Sequence, residues 1–348
     1  MNRPTTFKPS MRLHTPLLGA LLLFSALGVQ AQSFPSKPIR LVVGFAPGGS
    51  TDKLARVLGK RMGELLGQSV VVENRPGAAG NLAAEQVAGA PADGYTLFMT
   101  TLSSQAINPH IYSKLRFDPA KSFEPISLVA KYPLLLVVAP QLKLNSVHDL
   151  IAYVKKSDQQ IFFSSAGTGS PAHLAGEMFK ARTGGNLQHV PYKGGSPALL
   201  AVMSNEAQLA FETIPSAIGQ TKGGKLKPLA VSSEKRSGAA PELPTLQEEG
   251  LQQFVVTSWA GLVAPAGTPR DVLDKLNQTT QQALSTPAVH AALVADGANR
   301  QAAAARNLRV FLRRSSSHGA MWCAPLRSSW TEFDLLQKNA HFRAHIYP

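Results

Sequence analysis

The junction at residues 44–52, Gly-Phe-Ala-Pro-Gly-Gly-Ser-Thr-Asp, constrains this chain more than any other segment. It follows an apolar, strand-like run at residues 39–43 and opens a helical stretch that reaches about Leu66. A strand, a glycine turn and a helix start bring several backbone N–H groups to one point, where the helix dipole favours an anion such as a carboxylate. Ser50, Thr51 and Asp52 are candidate caps for those N–H groups. The pattern is also that of an ordinary strand-to-helix turn, so alone it is a weak signal. No Gly-Lys-Ser/Thr follows the glycines, which excludes a nucleotide P-loop.

The N-terminus indicates where such a turn would work. Arg3, Lys8 and Arg12 precede an apolar stretch at residues 16–29, and Val29-Gln30-Ala31 supplies compact residues at a cleavage position, the pattern of a secretory signal. Residues 1–31 are therefore expected to be removed, leaving a periplasmic protein that starts near Gln32. The apolar stretch is shorter than the roughly 20 residues a membrane-spanning helix needs.

A net charge of +14 would suggest a nucleic-acid partner, but its distribution argues otherwise. Residues 1–32 hold three Lys/Arg and no acids, and residues 300–348 hold eight Lys/Arg against Glu332 and Asp334. The body between them carries 24 basic and 19 acidic residues, scattered and without a basic, aromatic-interleaved stripe. No nucleic-acid partner is expected. The single Cys323 lies in the tail, so the body has no thiol chemistry. Its histidines lack metal-ligand spacing, and neither a metal nor another cofactor is expected.

Alternating patterns organise the body. Strands are predicted at residues 70–73, 96–100, 134–139, 161–164, 209–211 and 229–231, with helices at 82–90, 147–156, 173–183 and 197–204. This is an α/β chain of a length that suits two lobes. Two further turns open helices: Asn74-Arg-Pro-Gly-Ala-Ala-Gly80, and Ser165-Ala-Gly-Thr-Gly-Ser-Pro171 with its proline near the first helical position. The three turns could converge on one cleft.

The ordered set of these segments carries a resemblance. Gly44 to Asp52, Val71-Val-Glu-Asn-Arg-Pro-Gly77, Asp93-Gly-Tyr-Thr-Leu97, Ile107-Asn-Pro109, Val190-Pro-Tyr-Lys-Gly194 and Ser258-Trp-Ala-Gly-Leu-Val-Ala-Pro-Ala-Gly-Thr-Pro269 resemble the Bug family, also called TctC-like. These are extracytoplasmic solute-binding proteins of the tripartite tricarboxylate transporter system. The resemblance runs from about Phe34 to Asn299. It implies a two-lobed periplasmic binding protein fold, type II-like, with the ligand cleft between the lobes. Residues 32–132 and 256–299 would form the first lobe and 133–255 the second. It also implies hinge closure on a small carboxylate, a partnership with membrane permease components, a monomer, and no catalysis.

The resemblance also implies binding residues. Phe45, Ala46, Gly49, Ser50, Thr51 and Asp52 match the loop that wraps the ligand, although Asp52 reads more naturally as a helix cap. Thr101 and Ser103 follow a strand end and supply hydroxyls at a lobe edge. Gly167, Thr168 and Ser170 match the second lobe's ligand loop, with hydroxyl and backbone donors. Glu212 and Thr213 follow a strand end facing the expected cleft, where an acidic side chain could receive a ligand ammonium or hydroxyl and would repel a plain diacid unless protonated or bridged by water.

The resemblance stops in the tail. Family members continue past this point with a helix and an ending like Trp-x-x-Val-Val, whereas residues 300–348 are rich in Arg and Ser. Joining the last base of each codon to the first two of the next gives valine at Met321/Trp322 and again at Trp322/Cys323. Trp330/Thr331 gives aspartate, and Thr331/Glu332 permits a stop. Residues 300–348 are thus expected to be an aberrant tail produced by a frameshift near residue 300. Two other functions share part of this evidence: a ligand-sensing protein that feeds a signalling receptor, and a secreted hydrolase. The second lacks a Gly-x-Ser-x-Gly elbow.

Overall fold

The computed structural model describes residues 34–300 and Leu312. The first five strands are β1 (Ile39–Val43), β2 (Val70–Asn74), β3 (Thr96–Thr101), β4 (Phe123–Val138) and β5 (Ile161–Ser165). They are followed by β6 (Leu187–Pro191), β7 (Leu209–Thr213), β8 (Lys227–Val231), β9 (Thr257–Pro265) and β10 (Asn299–Arg300). The helices are α1 (Ser50–Leu66), α2 (Asn81–Ala88), α3 (Asn108–Ile111), α4 (Val147–Lys156) and α5 (Pro171–Thr183), then α6 (Gly195–Met203), α7 (Ile214–Lys222), α8 (Arg270–Ser285) and α9 (Pro287–Ala295). No described helix is long and apolar enough to cross a membrane.

The strands form two sheets that share β4. In the first lobe β1 pairs in parallel with β2 and β3, β3 pairs antiparallel with β9, and β9 pairs with residues 123–133 of β4. In the second lobe residues 134–138 of the same strand pair with β7 and β8, while β5 lies between β6 and β7 in parallel. Alternation along β1 covers both faces of the first sheet. Leu41 and Val43 pack with Leu54, Leu58 and Met62 of α1 and Leu276 of α8, and Val42 packs on the other side with Ala83 and Val87 of α2 and Trp259 of β9. The second lobe repeats the arrangement. Leu134, Leu136 and Phe211 face Val147 and Leu150 of α4 and Phe179 of α5, while Leu135 and Val137 face Val202 of α6 and Ala217 of α7.

Two chain crossings join the lobes, one within β4 at residues 133–134 and one at residues 256–257, where the chain leaves the second lobe for β9. Ser232 knits them together. Its N–H donates to the Leu134 carbonyl at 2.9 Å, its Oγ accepts from the Leu134 N–H at 2.8 Å and donates to the Val256 carbonyl at 2.6 Å, and its carbonyl accepts from the Val256 N–H at 3.0 Å.

The α/β class and the two-lobed architecture agree with the expectation from sequence. The predicted strands and helices fall within one or two residues of those observed, the usual uncertainty at element ends. The run at 134–139 is the second half of a 16-residue strand. Its first half lacks strict alternation because both of its faces are covered. Apart from Arg300 of β10, which pairs with Ala130, and Leu312, the aberrant-tail expectation lies outside the described residues, as does the signal peptide. Leu312 packs against the cluster that holds Leu102, Leu174 and Trp259.

The Ser232 bridge yields a stability prediction. Ser232→Ala leaves the buried Leu134 N–H and Val256 carbonyl each short of a partner and should cost about 1–3 kcal/mol. Denaturant titration of the variant should show a lower midpoint with an unchanged slope, and an unchanged midpoint would show that the bridge does not hold the crossings together.

Candidate functional site

The site lies where the two lobes meet. From the first lobe come Phe45, Gly49, Ser50 and Thr51 at the β1–α1 turn, and Thr101 and Ser103 at the end of β3. Tyr132 and Ser258 line it from the crossing strands. The second lobe supplies Ser170, Gly195, Glu212, Thr213 and Ser216. The enclosed space open to the centres of water-sized molecules is about 40 Å³. That is a few times what one water occupies on this measure, so the closed cleft is small.

The local sequence explains why these residues converge. Gly49 stands before α1, Ser170 before α5, Gly194 before α6 and Thr213 before α7, so four helix N-termini open onto one space. Each carries orphan N–H groups and the positive end of its dipole. Among the described residues, no lysine or arginine lines the cleft. Positive potential therefore comes from the backbone, the arrangement that suits an anion.

Three buried side-chain oxygens in this cleft lack a hydrogen-bond partner among the described residues: Thr101 Oγ1, Ser103 Oγ and Glu212 Oε2. Glu212 is 3% exposed. Its Oε1 accepts from the Thr213 N–H at 2.8 Å and the Thr213 hydroxyl at 2.9 Å. Burial pushes its carboxyl up to about 7, against the opposing pull of the Thr213 and Ser216 hydrogen bonds. A Cβ added at Gly195 would lie 2.7–2.9 Å from this carboxyl, so only glycine lets α6 start here. The Tyr132 hydroxyl is also held neutral by burial, with the hydroxyls of Ser50, Thr51 and Ser258 about it.

Bonds between the lobes close the cleft. The Ser50 N–H donates to Ser216 Oγ at 2.8 Å, the Ala46 N–H to the Lys193 carbonyl at 2.9 Å, Lys53 Nζ to the Pro215 carbonyl at 2.7 Å, and the Tyr112 hydroxyl to the Thr168 carbonyl at 2.9 Å. The structure is thus the closed form.

The structure brings together most of the residues singled out in the sequence, in differing roles. Phe45, Gly49, Ser50, Thr51, Thr101, Ser103, Ser170, Glu212 and Thr213 all line the cleft. The Ser50 N–H is already engaged by Ser216, so the Gly49 and Thr51 N–H groups are the turn's remaining donors. The Ser170 hydroxyl caps α5 through the His173 N–H at 3.2 Å. Ala46 serves the closure. Asp52 faces away from the cleft and accepts from the Gly48 N–H, Asn74 and Arg56 at 2.9–3.0 Å. Burial opposes its ionisation, but those bonds outweigh burial and hold its carboxyl below the usual range.

Gly167 and Thr168 sit in a neighbouring hollow of about 250 Å³ with Gly77, Ala78 and Ala79. The second sequence turn meets the first part of the third there, and only the end of the third, at Ser170 and Pro171, reaches on into the cleft. Tyr132, Gly195, Ser216 and Ser258 were missed by sequence reasoning. Gly195 and Ser216 had a legible signal, a small residue at a predicted strand-to-helix junction, whereas Tyr132 and Ser258 depend on how β4 and β9 cross.

One serine–histidine pair bears on the hydrolase alternative. Ser165 Oγ lies 2.6 Å from His189 Nε2. The serine is fully buried, and the ring of His189 stacks on His173 at 3.9 Å. Burial holds His189 down at about 3 and His173 at about 4, and Glu177, the carboxylate at this stack among the described residues, is 3.9 Å from His173 rather than beside His189. Both imidazoles are packing groups in this arrangement.

Comparison with known proteins places this geometry among relatives. Residues 54–320 match the model of the tripartite tricarboxylate transporter family receptor, TctC. The protein BugT of Bordetella pertussis is 36% identical over 304 residues, covering 86% of this chain and 93% of that protein. An R. palustris protein solved with adipate has a TM-score of 0.82 and 34% identity, covering 84% of this chain and 98% of its own. MatC of Rhodopseudomonas palustris, with bound malate, has a TM-score of 0.79 and 31% identity, covering 83% and 99%.

The buried carboxyl makes stability depend on pH. Glu212 is neutral in the fold up to about 7 but ionises near 4.5 in an unfolded chain. The unfolded state therefore binds fewer protons between these values, and stability falls as pH rises through that window. Glu212→Gln should melt a few degrees above the unsubstituted protein at pH 8 and within a degree or so of it at pH 4.5. Equal melting temperatures at both pH values would mean that Glu212 is not held neutral.

Proposed function

Because this chain belongs to the tripartite tricarboxylate transporter receptor (TctC) family, we propose that it captures a small carboxylate in the periplasm and delivers it to the membrane permease of such a transporter. The observation that carries this reading is the convergence of four helix N-termini on a buried cleft that, among the described residues, has no cationic side chain in its lining. One ligand carboxylate would lie against the Gly49 and Thr51 N–H groups, with the hydroxyls of Thr101 and Ser103 completing its shell. The solved relatives with adipate and with malate support the carboxylate class.

Capture would use the hinge. The four bonds between the lobes form only when the cleft is shut, so a ligand that touches both walls favours the closed form by its differential affinity. The closed form alone sets both lobes in fixed relation for a membrane partner to dock. The histidine-paired Ser165 has no exposed surface, and turnover has no role in this reading.

Gly49→Val tests the site. At Gly49 an added Cβ would have room, 3.8 Å from the Ala46 carbonyl and the Gly195 nitrogen, but the branches of valine would crowd Gly195 and Ser216. A thermal-shift screen with succinate, malate and adipate should find at least one stabilising ligand. For that ligand Gly49→Val should weaken binding by about 1–3 kcal/mol, the value of hydrogen bonds to a charged group. Unchanged affinity would place the ligand elsewhere.

A further inference from the structure

Glu212 stands in an odd position for a site that holds carboxylates. It projects from the end of β7 among three helix N-termini of the second lobe, with one oxygen committed to Thr213 and the other, Oε2, unpartnered in the cleft. Two ionised carboxylates meeting there would repel each other in a space with little water. Resting on the carboxylate reading above, we propose that Glu212 enters the complex as the neutral acid and donates the hydrogen on Oε2 to a ligand carboxylate, so that capture of a dicarboxylate takes up a proton.

The surroundings support the neutral acid. Among the described residues, no cation faces Glu212 from the elements packed around it. β4 contributes Tyr132, itself neutral. α6 contains no titratable residue, and the only one on α7, Lys222, is at its far end. On α1, Lys53 is bound to the Pro215 carbonyl, and Asp52 is turned to Arg56 and Asn74. On α5, His173 and Glu177 lie at the His189 stack, with His189 on β6. Glu212 is almost wholly out of water, and the Thr213 N–H and hydroxyl on Oε1 are too few donors to offset the cost of burying a carboxylate. The neutral carboxyl has one hydrogen to give, and the oxygen that would carry it has no hydrogen-bond partner among the described residues. A carboxylate oxygen is the acceptor that uses it best, because charge-assisted bonds are roughly twice as strong as neutral ones.

The proton balance is simple. Below the titration point of the free protein, Glu212 already carries its hydrogen and binding moves none. Above it, the free protein holds Glu–CO₂⁻, and binding draws one proton from solvent to form Glu–CO₂H···⁻O₂C–ligand, raising the carboxyl further. Affinity then falls as pH rises, up to tenfold per unit.

The experiment is calorimetric titration of the full chain with succinate, malate and adipate between pH 6.5 and 8.5, where both ligand carboxyls are ionised. It is repeated at pH 8 in phosphate and in Tris, whose different ionisation heats report proton uptake. The expected result is a dissociation constant that rises about tenfold or more from pH 6.5 to 8.5, with uptake approaching one proton. Glu212→Gln keeps a donor at that position and cannot titrate, so it should bind with little dependence on pH. Binding that is flat with pH, binding that strengthens with pH, or a pH fall that persists in Glu212→Gln would overturn the proton-coupled role and leave the carboxylate reading standing. Failure of all three acids to bind at any pH would overturn both.

Discussion

The structure depends on one electrostatic arrangement, the meeting of four helix N-termini at a cleft that no cationic side chain lines among the described residues. An anion there would be held by backbone dipoles that are fixed before it arrives, which avoids the entropy cost of ordering long Lys or Arg side chains. The arrangement also explains the glycines and small hydroxyl residues at the cleft wall. A larger side chain at Gly195 would run into Glu212, and Gly194, whose φ of 154° only glycine adopts readily, turns the chain into the same helix. The cleft is therefore made of turns, and the sheets serve to bring those turns face to face.

That division of labour accounts for what the sequence revealed. Residues 44–52 could be read as an anion seat because a strand, a glycine turn and a helix start are contiguous in sequence, and their effect on the backbone is local. The α/β alternation was legible for the same reason. What could not be read was which turn faces which. The turn at residues 165–171 divides in the fold, sending Ser170 to the cleft and Gly167 and Thr168 to the adjoining hollow, because the glycine conformations at 167 and 169 turn the backbone between them. Tyr132 and Ser258 reach the site only because two strands cross between the lobes. Such long-range placement leaves no periodic mark on the chain.

The hinge connects the cleft to a function in transport. The crossings at β4 and around Ser232 are short, buried and cross-linked, so opening must be taken up by a few residues at these points while each lobe's core stays packed. Closure bonds such as Ser50 to Ser216 lie directly at the cleft wall. A ligand bound there and the contacts between the lobes thus stabilise the same state, the condition for a receptor whose partner reads closure. Glu212 belongs to the second lobe and the Gly49 turn to the first, so a ligand that engages both ends draws the lobes together.

The central claim is that the helix N-termini of the two lobes hold the ligand between them. It is tested most directly by a crystal structure of the protein grown with succinate, malate or adipate. The account predicts one carboxylate within about 2.7–3.2 Å of the Gly49 and Thr51 N–H groups, the range of an N–H···O hydrogen bond, with the rest of the ligand reaching toward Glu212. A ligand bound in the hollow beside Thr168, or a closed cleft that excludes all three acids at saturating concentration, would contradict it.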